Sequence, residues 1–448
     1  MKTKNIDLTQ GNEMKSIVLF SLPLITGNLF QQLYNLVDTI VVGKFVGADA
    51  LAAVGSSYMT MTFLTSIIIG LCMGSGVIFS YFYSARDSKQ LSQSFFQSFI
   101  FIFGVTVVIN GLSFLFIDEI LRLLNIEKSI FAMTKDYLLL IFAGMFFVFL
   151  YNYFAAVLRS MGNSFIPLVF LVISSVVNIV LDYLFVVPFQ MGVQGAGYAT
   201  VIAQIISAVG IAWYTLKCVP EMKFQKEMFV IKKSLMKKII DQSVMTSIQQ
   251  SIMNFGILMV QGLVNSFGIT VMAGFAVAVK IDSFAYMPVQ DFGNGFSTYV
   301  AQNRGAGKTE RIHTGTKAAV KLILMTCIVI SMIVFLFTSQ LMGCFVSAGE
   351  TEVIAEGVRY LQIVCPFYCL IGFLFMFYGL YRGMGRPQMS IVLTVISLGT
   401  RVALAYILSD IKWISVVGIW WAIPIGWFLA DLVGLVYYRR YRGKGNLE

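Results

Sequence analysis

Twelve stretches of this chain are each long and apolar enough to cross a lipid bilayer, and no other feature constrains its fold as tightly. A spanning helix needs about 20 apolar residues. Stretches of that size lie at about 16–42, 48–79, 93–117, 131–155, 164–188, 193–216, 239–266, 270–300, 316–340, 354–380, 388–410 and 414–438. Of the 448 residues 58% are hydrophobic and only 12% charged, with a mean hydropathy of +0.82, far from the balance of a soluble domain. The expected fold is therefore an all-α integral membrane protein of twelve transmembrane helices. The opening MKTKNIDLTQGNEMKS is polar and runs straight into a full span, so no cleaved leader is expected. The longest hydrophilic connection, KCVPEMKFQKEMFVIKKSLMKK at 217–238, follows the sixth span. It divides the chain into an N-terminal bundle (1–216), a basic linker (217–238) and a C-terminal bundle (239–448).

The basic residues set an orientation. Those before the first span and in the even-numbered connections, among them Lys2, Lys4, Arg86, Arg159, the linker lysines, Arg304, Arg311, Arg382, Arg386 and Arg440, outnumber those of the opposite side by 24 to 6. The positive-inside rule then puts both termini in the cytoplasm, and the plasma membrane is the expected location. The net charge of +10 follows from topology and calls for no nucleic acid. The single histidine, His313, excludes an HExxH zinc site and a histidine-based triad in the membrane core, and the six cysteines are scattered. The cysteines read as buried thiols. An enzyme is not expected, nor a cofactor, and no obligate protein partner is evident.

The halves repeat. LRSMGNS at 158–164 matches YRGMGRP at 381–387 at an offset of 223, and VIS at 172–174 matches VIS at 395–397. VGADALAAVG at 46–55 falls on FGITVMAGFA, and SARD at 84–87 on GAGK, at an offset of 221. A duplicated unit with an even number of spans gives parallel repeats, here two pseudo-symmetric six-helix bundles. Such bundles place a substrate cavity between the halves and expose it to each side in turn.

Polar residues inside the spans converge on the N-terminal half. Asn28, Gln31, Asn35 and Asp38 are spaced 3, 4 and 3 apart, on one face of the first span, and Ser175, Asn178 and Asp182 share a face of the fifth. Asp38 and Asp182 each lie six residues, about 9 Å, below an outer marker, so they share one depth. Tyr137 and Thr200 fall in the outer half of the fourth and sixth spans. Two acids close together in low dielectric do not easily both stay ionised: one takes a proton, or a cation such as Na⁺ binds among the oxygens of Asp38, Asn178, Asp182 and Thr200. The competing role for the polar residues is helix-to-helix hydrogen bonding. Pro23 interrupts the first span, either as a static kink or as a hinge whose angle follows the charge on Asp38. Gln31, Asn35 and Lys280 are candidates to line a substrate cavity; of the charges in the C-terminal half, Lys280, Asp282, Asp291, Arg401 and Asp431, some are expected to pair.

Together SLPLITG followed by DTIVVGKFVGADALAAVG, the LRSMGN turn leading to NIVLD, GVQGAGYAT, and AQNRGAGK resemble the multidrug and toxic compound extrusion (MATE) transporters over essentially the whole chain. The resemblance implies a secondary active antiporter exporting organic cations or other amphipathic compounds in exchange for inward H⁺ or Na⁺. It implies the DinF-like branch, with Asp38, Asn178 and Asp182 as the coupling site, Thr200 and Tyr137 beside them, and a bending role for Pro23. The NorM-like branch carries acids in the seventh and tenth spans, whereas 242–262 and 361–381 here have none. The alternative within the superfamily is a lipid-linked oligosaccharide flippase, which needs a wide basic cavity where this chain offers only Lys280 and Arg401.

Overall fold

A computed structural model describes residues 5–222, 226–346 and 349–443, and among these every regular element is helical. Lys2, Lys4, Lys223 and Lys444, counted above for orientation, lie outside the described residues. The first half contains α1 (Glu13–Phe45), α2 (Ala48–Ser84), α3 (Ser88–Leu115), α4 (Ile117–Leu123), α5 (Phe131–Ser160), α6 (Phe165–Val186) and α7 (Gly192–Cys218). The second contains α8 (Lys233–Asn265), α9 (Ile269–Gly305), α10 (Thr309–Leu336), α11 (Thr338–Gly343), α12 (Thr351–Val364), α13 (Tyr368–Gly383), α14 (Pro387–Ser409) and α15 (Val416–Gly443). Among the described residues eleven spans satisfy the length and apolarity needed to cross a membrane, with Thr351–Gly383 counted as one. The 33-residue α8 occupies the place of the remaining expected span.

The helices run past the apolar stretches at the basic end. Span two, expected to end near 79, continues to Ser84; the fourth continues from 155 to Ser160, and the eighth from 300 to Gly305. Hydropathy marks only the hydrocarbon layer, while the backbone hydrogen-bond ladder carries on into water. Two short helices follow spans, α4 after the third and α11 at the end of the ninth, and the tenth span is broken by a 3₁₀ turn at Cys365–Phe367, where Pro366 has no N–H to continue the ladder. Cys72, Cys327 and Cys365 are buried, but Cys218 at the end of α7 and Cys344 just after α11 are exposed, which corrects the expectation of six buried thiols.

The duplication extends to the backbone. α1 and α8 have 33 residues each, α2 and α9 have 37, and α3 and α10 have 28. Left-handed residues recur at the offsets the sequence repeats show: Gly47 with Gly268 and Arg86 with Gly307 at 221, Gly162 with Gly385 and Gly192 with Ser415 at 223. The step between the two offsets falls where α5, of 30 residues, matches the 33-residue span Thr351–Gly383 that contains the 3₁₀ break.

Two compact units result: residues 1–7 with 22–247, and residues 8–21 with 248–448. In the first, α5 packs on α2, α3 and α7, and α6 packs on α7; in the second, α9 packs on α10, α12 and α13, and α14 packs on α15. The boundary within α1 falls between Ser21 and Leu22, next to Pro23, and α1 runs through it as one helix. The linker is docked on the first unit: the carbonyls of Glu221, Glu227 and Val230 accept hydrogen bonds from Ser92, Gln93 and Gln97 of α3 at 2.8, 3.1 and 3.2 Å.

Within the first unit α2 and the start of α8 cross closely. Ser75 and Ser243 hydroxyls are 2.8 Å apart, and Ser247 Oγ donates to the Ile67 carbonyl at 3.0 Å. Small residues spaced four apart, Gly70 and Gly74 against Ser243 and Ser247, permit that approach. A Cβ added at Gly74 would lie 2.5 Å from Ser243 Cα. Gly74→Val is therefore expected to cost about 1–3 kcal/mol, seen as a lower thermal denaturation midpoint of the purified protein. Gly104→Ala, whose Cβ meets nothing within 4 Å, should be neutral or stabilising by up to about 1 kcal/mol. Equal melting of Gly74→Val and wild type would refute the close crossing.

Candidate functional site

The polar face of α1 and that of α6 meet inside the first unit. Asp182 is fully buried and Asp38 is 8% exposed. The two carboxylates lie within electrostatic reach of each other. Asn178, one turn before Asp182 on α6, donates from Nδ2 to Thr200 Oγ1 of α7 at 3.4 Å. The Tyr137 phenol of α5 lies within electrostatic reach of both acids. Asp38, Asn178, Asp182, Thr200 and Tyr137 thus share one buried neighbourhood contributed by four helices.

Local sequence explains the convergence. Gly197 at the start of α7 has no side chain, so Leu140 and Tyr137 of α5 lie close against it: a Cβ there would be 2.8 Å from Leu140 Cδ1 and 3.5 Å from Tyr137 Cδ2. Ser174 Oγ donates to the Ala203 carbonyl at 3.0 Å and ties α6 to α7. Ser175, on the same face as Asn178 and Asp182, instead donates to Leu171 O of its own helix at 2.9 Å, which satisfies it locally. One turn from the acids, Val42, Val186 and Ala196 join Tyr137 and Ile141 in a packed apolar cluster. That layer keeps water off one side of the polar set.

Hydrogen-bond supply and demand do not match at the centre. Asp38 Oδ1, Asn178 Oδ1 and both oxygens of Asp182 are buried without a hydrogen-bond partner. Four acceptors without donors in low dielectric carry a penalty of order 1–3 kcal/mol apiece, and more for charged ones. A proton relieves it by turning an acceptor into a donor. A hard monovalent cation relieves it by taking several oxygens as ligands.

Tyr34 belongs to the same neighbourhood and is not among the residues singled out from the sequence. It lies within electrostatic reach of Asp38 and Asp182, one turn from Gln31. Its position, three residues after Gln31 and four before Asp38, would have placed it on the polar face had phenols been counted with amides and acids. Gln31 and Asn35 are half-buried on that face.

In the second unit the equivalent positions have diverged. At the offset of 223, Asn178 falls on Arg401 and Asp182 on Ala405. Lys280 is exposed on α9, whereas Asp282, two residues on, is buried and accepts a hydrogen bond from the Tyr360 hydroxyl at 3.1 Å. It lies within electrostatic reach of Arg401. Both oxygens of Asp431 on α15 are buried without a hydrogen-bond partner.

The MatE family profile matches residues 23–184 and 243–407. Among known proteins, the chain is 29% identical to the probable multidrug resistance protein YpnP of Bacillus subtilis (strain 168), over 98% of each chain. It is 27% identical to the probable multidrug resistance protein YoeA of the same organism, over 95% of this chain and 93% of the relative. A solved structure described as the outward-facing conformation of a multidrug resistance MATE family transporter of the MOP superfamily superposes with a TM-score of 0.92 at 25% identity, over 98% of both chains. A profile covering both halves of a multi-pass helical membrane protein makes this chain a member of the MatE family, whose members are transporters and not enzymes.

Proposed function

We propose that this protein is a secondary active multidrug antiporter of the DinF-like branch, exporting organic cations or other amphipathic compounds in exchange for inward H⁺ or Na⁺. It works in the plasma membrane with both termini in the cytoplasm. The observation that carries the proposal is the set of buried acceptors at Asp38, Asn178 and Asp182, which lack donors and which an incoming proton or Na⁺ satisfies. Relatives described as multidrug resistance proteins support the substrate class.

In this mechanism Asp38 and Asp182 hold the coupling ion. Asn178 and Thr200 complete its oxygen shell, and Tyr137 shields the acids from the apolar side. Loading the site removes a repulsion between two carboxylates and so favours the α1 geometry that brings Asp38 closest to α6. Pro23 lets α1 take that geometry, because the helix lacks one backbone hydrogen bond there. Gln31 and Asn35, on the same face, offer amides to the substrate. Lys280, exposed on α9, is a further substrate contact. Substrate and ion are coupled reciprocally: each weakens the other's binding by the same factor.

The test is efflux of a fluorescent organic cation from proteoliposomes under separately imposed proton and sodium gradients. One of the two gradients should drive export, and Asp38→Asn should abolish it while the thermal denaturation midpoint stays near that of wild type. Undiminished export by Asp38→Asn would end the proposal. Thr200→Val keeps the shape and removes the hydroxyl that meets Asn178. It should weaken the driving ion about 2- to 10-fold, the loss of one hydrogen bond of about 0.5–1.5 kcal/mol. The readout is the ion concentration that half-protects the protein against heating, and Thr200→Ser should restore it.

A further inference from the structure

The second unit holds a cavity of about 350 Å³ between the first turns of α14 and the last turns of α15, lined by Arg386, Gln388, Met389, Val392 and Tyr437. Its lining divides by chemistry. Arg386, Gln388 and Tyr437 make a polar end, with the Arg386 guanidinium donating from Nη1 to the Tyr437 hydroxyl at 2.9 Å. Met389 and Val392 make an apolar end. From there the apolar end continues along α14, where Val392 and Val395 are 44% and 52% exposed. Arg440, three residues after Tyr437 and so on its side of α15, is exposed. Arg439 is exposed beside it.

We infer that this cavity is a binding site for an anionic phospholipid, its phosphate held by Arg386 and Tyr437 with Arg440 nearby, and its acyl chain lying along Met389, Val392 and Val395. A cationic mouth on a lipid-facing apolar groove at a helix-end interface matches both halves of such a lipid. A free phosphate matches only the mouth. Under the orientation proposed above, the leaflet is the cytoplasmic one. The site is also not a passive copy of the first repeat. At the offset of 223, Arg386 replaces Asn163, whose Nδ2 donates to Asn5 at 3.1 Å and whose Oδ1 caps the Ile166 N–H at 3.1 Å. The first unit closes this place with its own N-terminal residues, and the second puts a cation there.

Native mass spectrometry of the full-length protein, loaded in detergent with phosphatidylglycerol or phosphatidylcholine of the same acyl chains, tests the site. Wild type should retain phosphatidylglycerol about fivefold better, the size expected for one cation at an anionic surface. Arg386→Gln should lose that preference. Val392→Trp, which fills the groove and keeps the charge, should lower retention of both lipids. Arg359→Gln, an exposed arginine on α12, should leave both unchanged. Equal retention of the two lipids by wild type, or an undiminished preference in Arg386→Gln, would overturn the proposal. So would inorganic phosphate displacing phosphatidylglycerol at concentrations that leave the acyl stripe irrelevant, with Val392→Trp binding as wild type.

Discussion

Hydrocarbon supplies no hydrogen-bond partners, so each peptide group of a span must be satisfied within the chain, and here that is done inside continuous helices. The same constraint then sorts the side chains. Most buried hydroxyls find an acceptor in their own helix one turn back, as Ser57 does at Ala53, Thr134 at Ile130, Thr246 at Gln242 and Thr394 at Ser390. A carboxylate has no such remedy, because it accepts only and every nearby N–H is already used by the helix. Acids buried in a span therefore depend on a donor from another helix, on a proton or on a cation. Asp282 has the Tyr360 hydroxyl. At Asp182 both oxygens are without such a partner.

The repeat shows how one backbone frame can carry two chemistries. Helix lengths and left-handed turn residues match between the halves, since they set where each helix starts, ends and crosses its neighbours. Side chains facing the bundle interior are free to change as long as packing is kept. Asn178 and Asp182 on α6 give way to Arg401 and Ala405 on α14, and an acid enters instead from α9 at Asp282, close to Arg401. The second unit thus contains its own cation, fixed in the chain. Beside Asp38 and Asp182 no such cation stands among the residues that gather there, and the proposed ion coupling rests on that difference.

The number of spans, the duplication and the two acid-bearing faces were all legible in the sequence, because each rests on a period or an offset that survives without coordinates. Apolar stretches of about 20 residues give spans, an offset of 221 to 223 gives the repeat, and spacings of 3 and 4 give a face. Helix ends were less legible: hydropathy falls off at the edge of the hydrocarbon while the ladder of α2 continues to Ser84. The 3₁₀ break at Cys365–Phe367 was signalled by Pro366, yet proline at position 23 leaves α1 continuous. What decides between those outcomes is the packing around each residue.

By itself the sequence determined which residues are polar, on which face of which helix, and at what height. Only the tertiary structure decided that α1, α5, α6 and α7 bring Asp38, Tyr137, Asn178, Asp182 and Thr200 together, that Ser175 is satisfied by its own helix while Ser174 ties α6 to α7, and that Tyr34 joins the acids. The reason is physical: periodicity fixes a side chain's direction about its own axis, whereas the rotation and closeness of neighbouring helices follow from many small contacts, such as Tyr137 against Gly197, that no single stretch of sequence encodes.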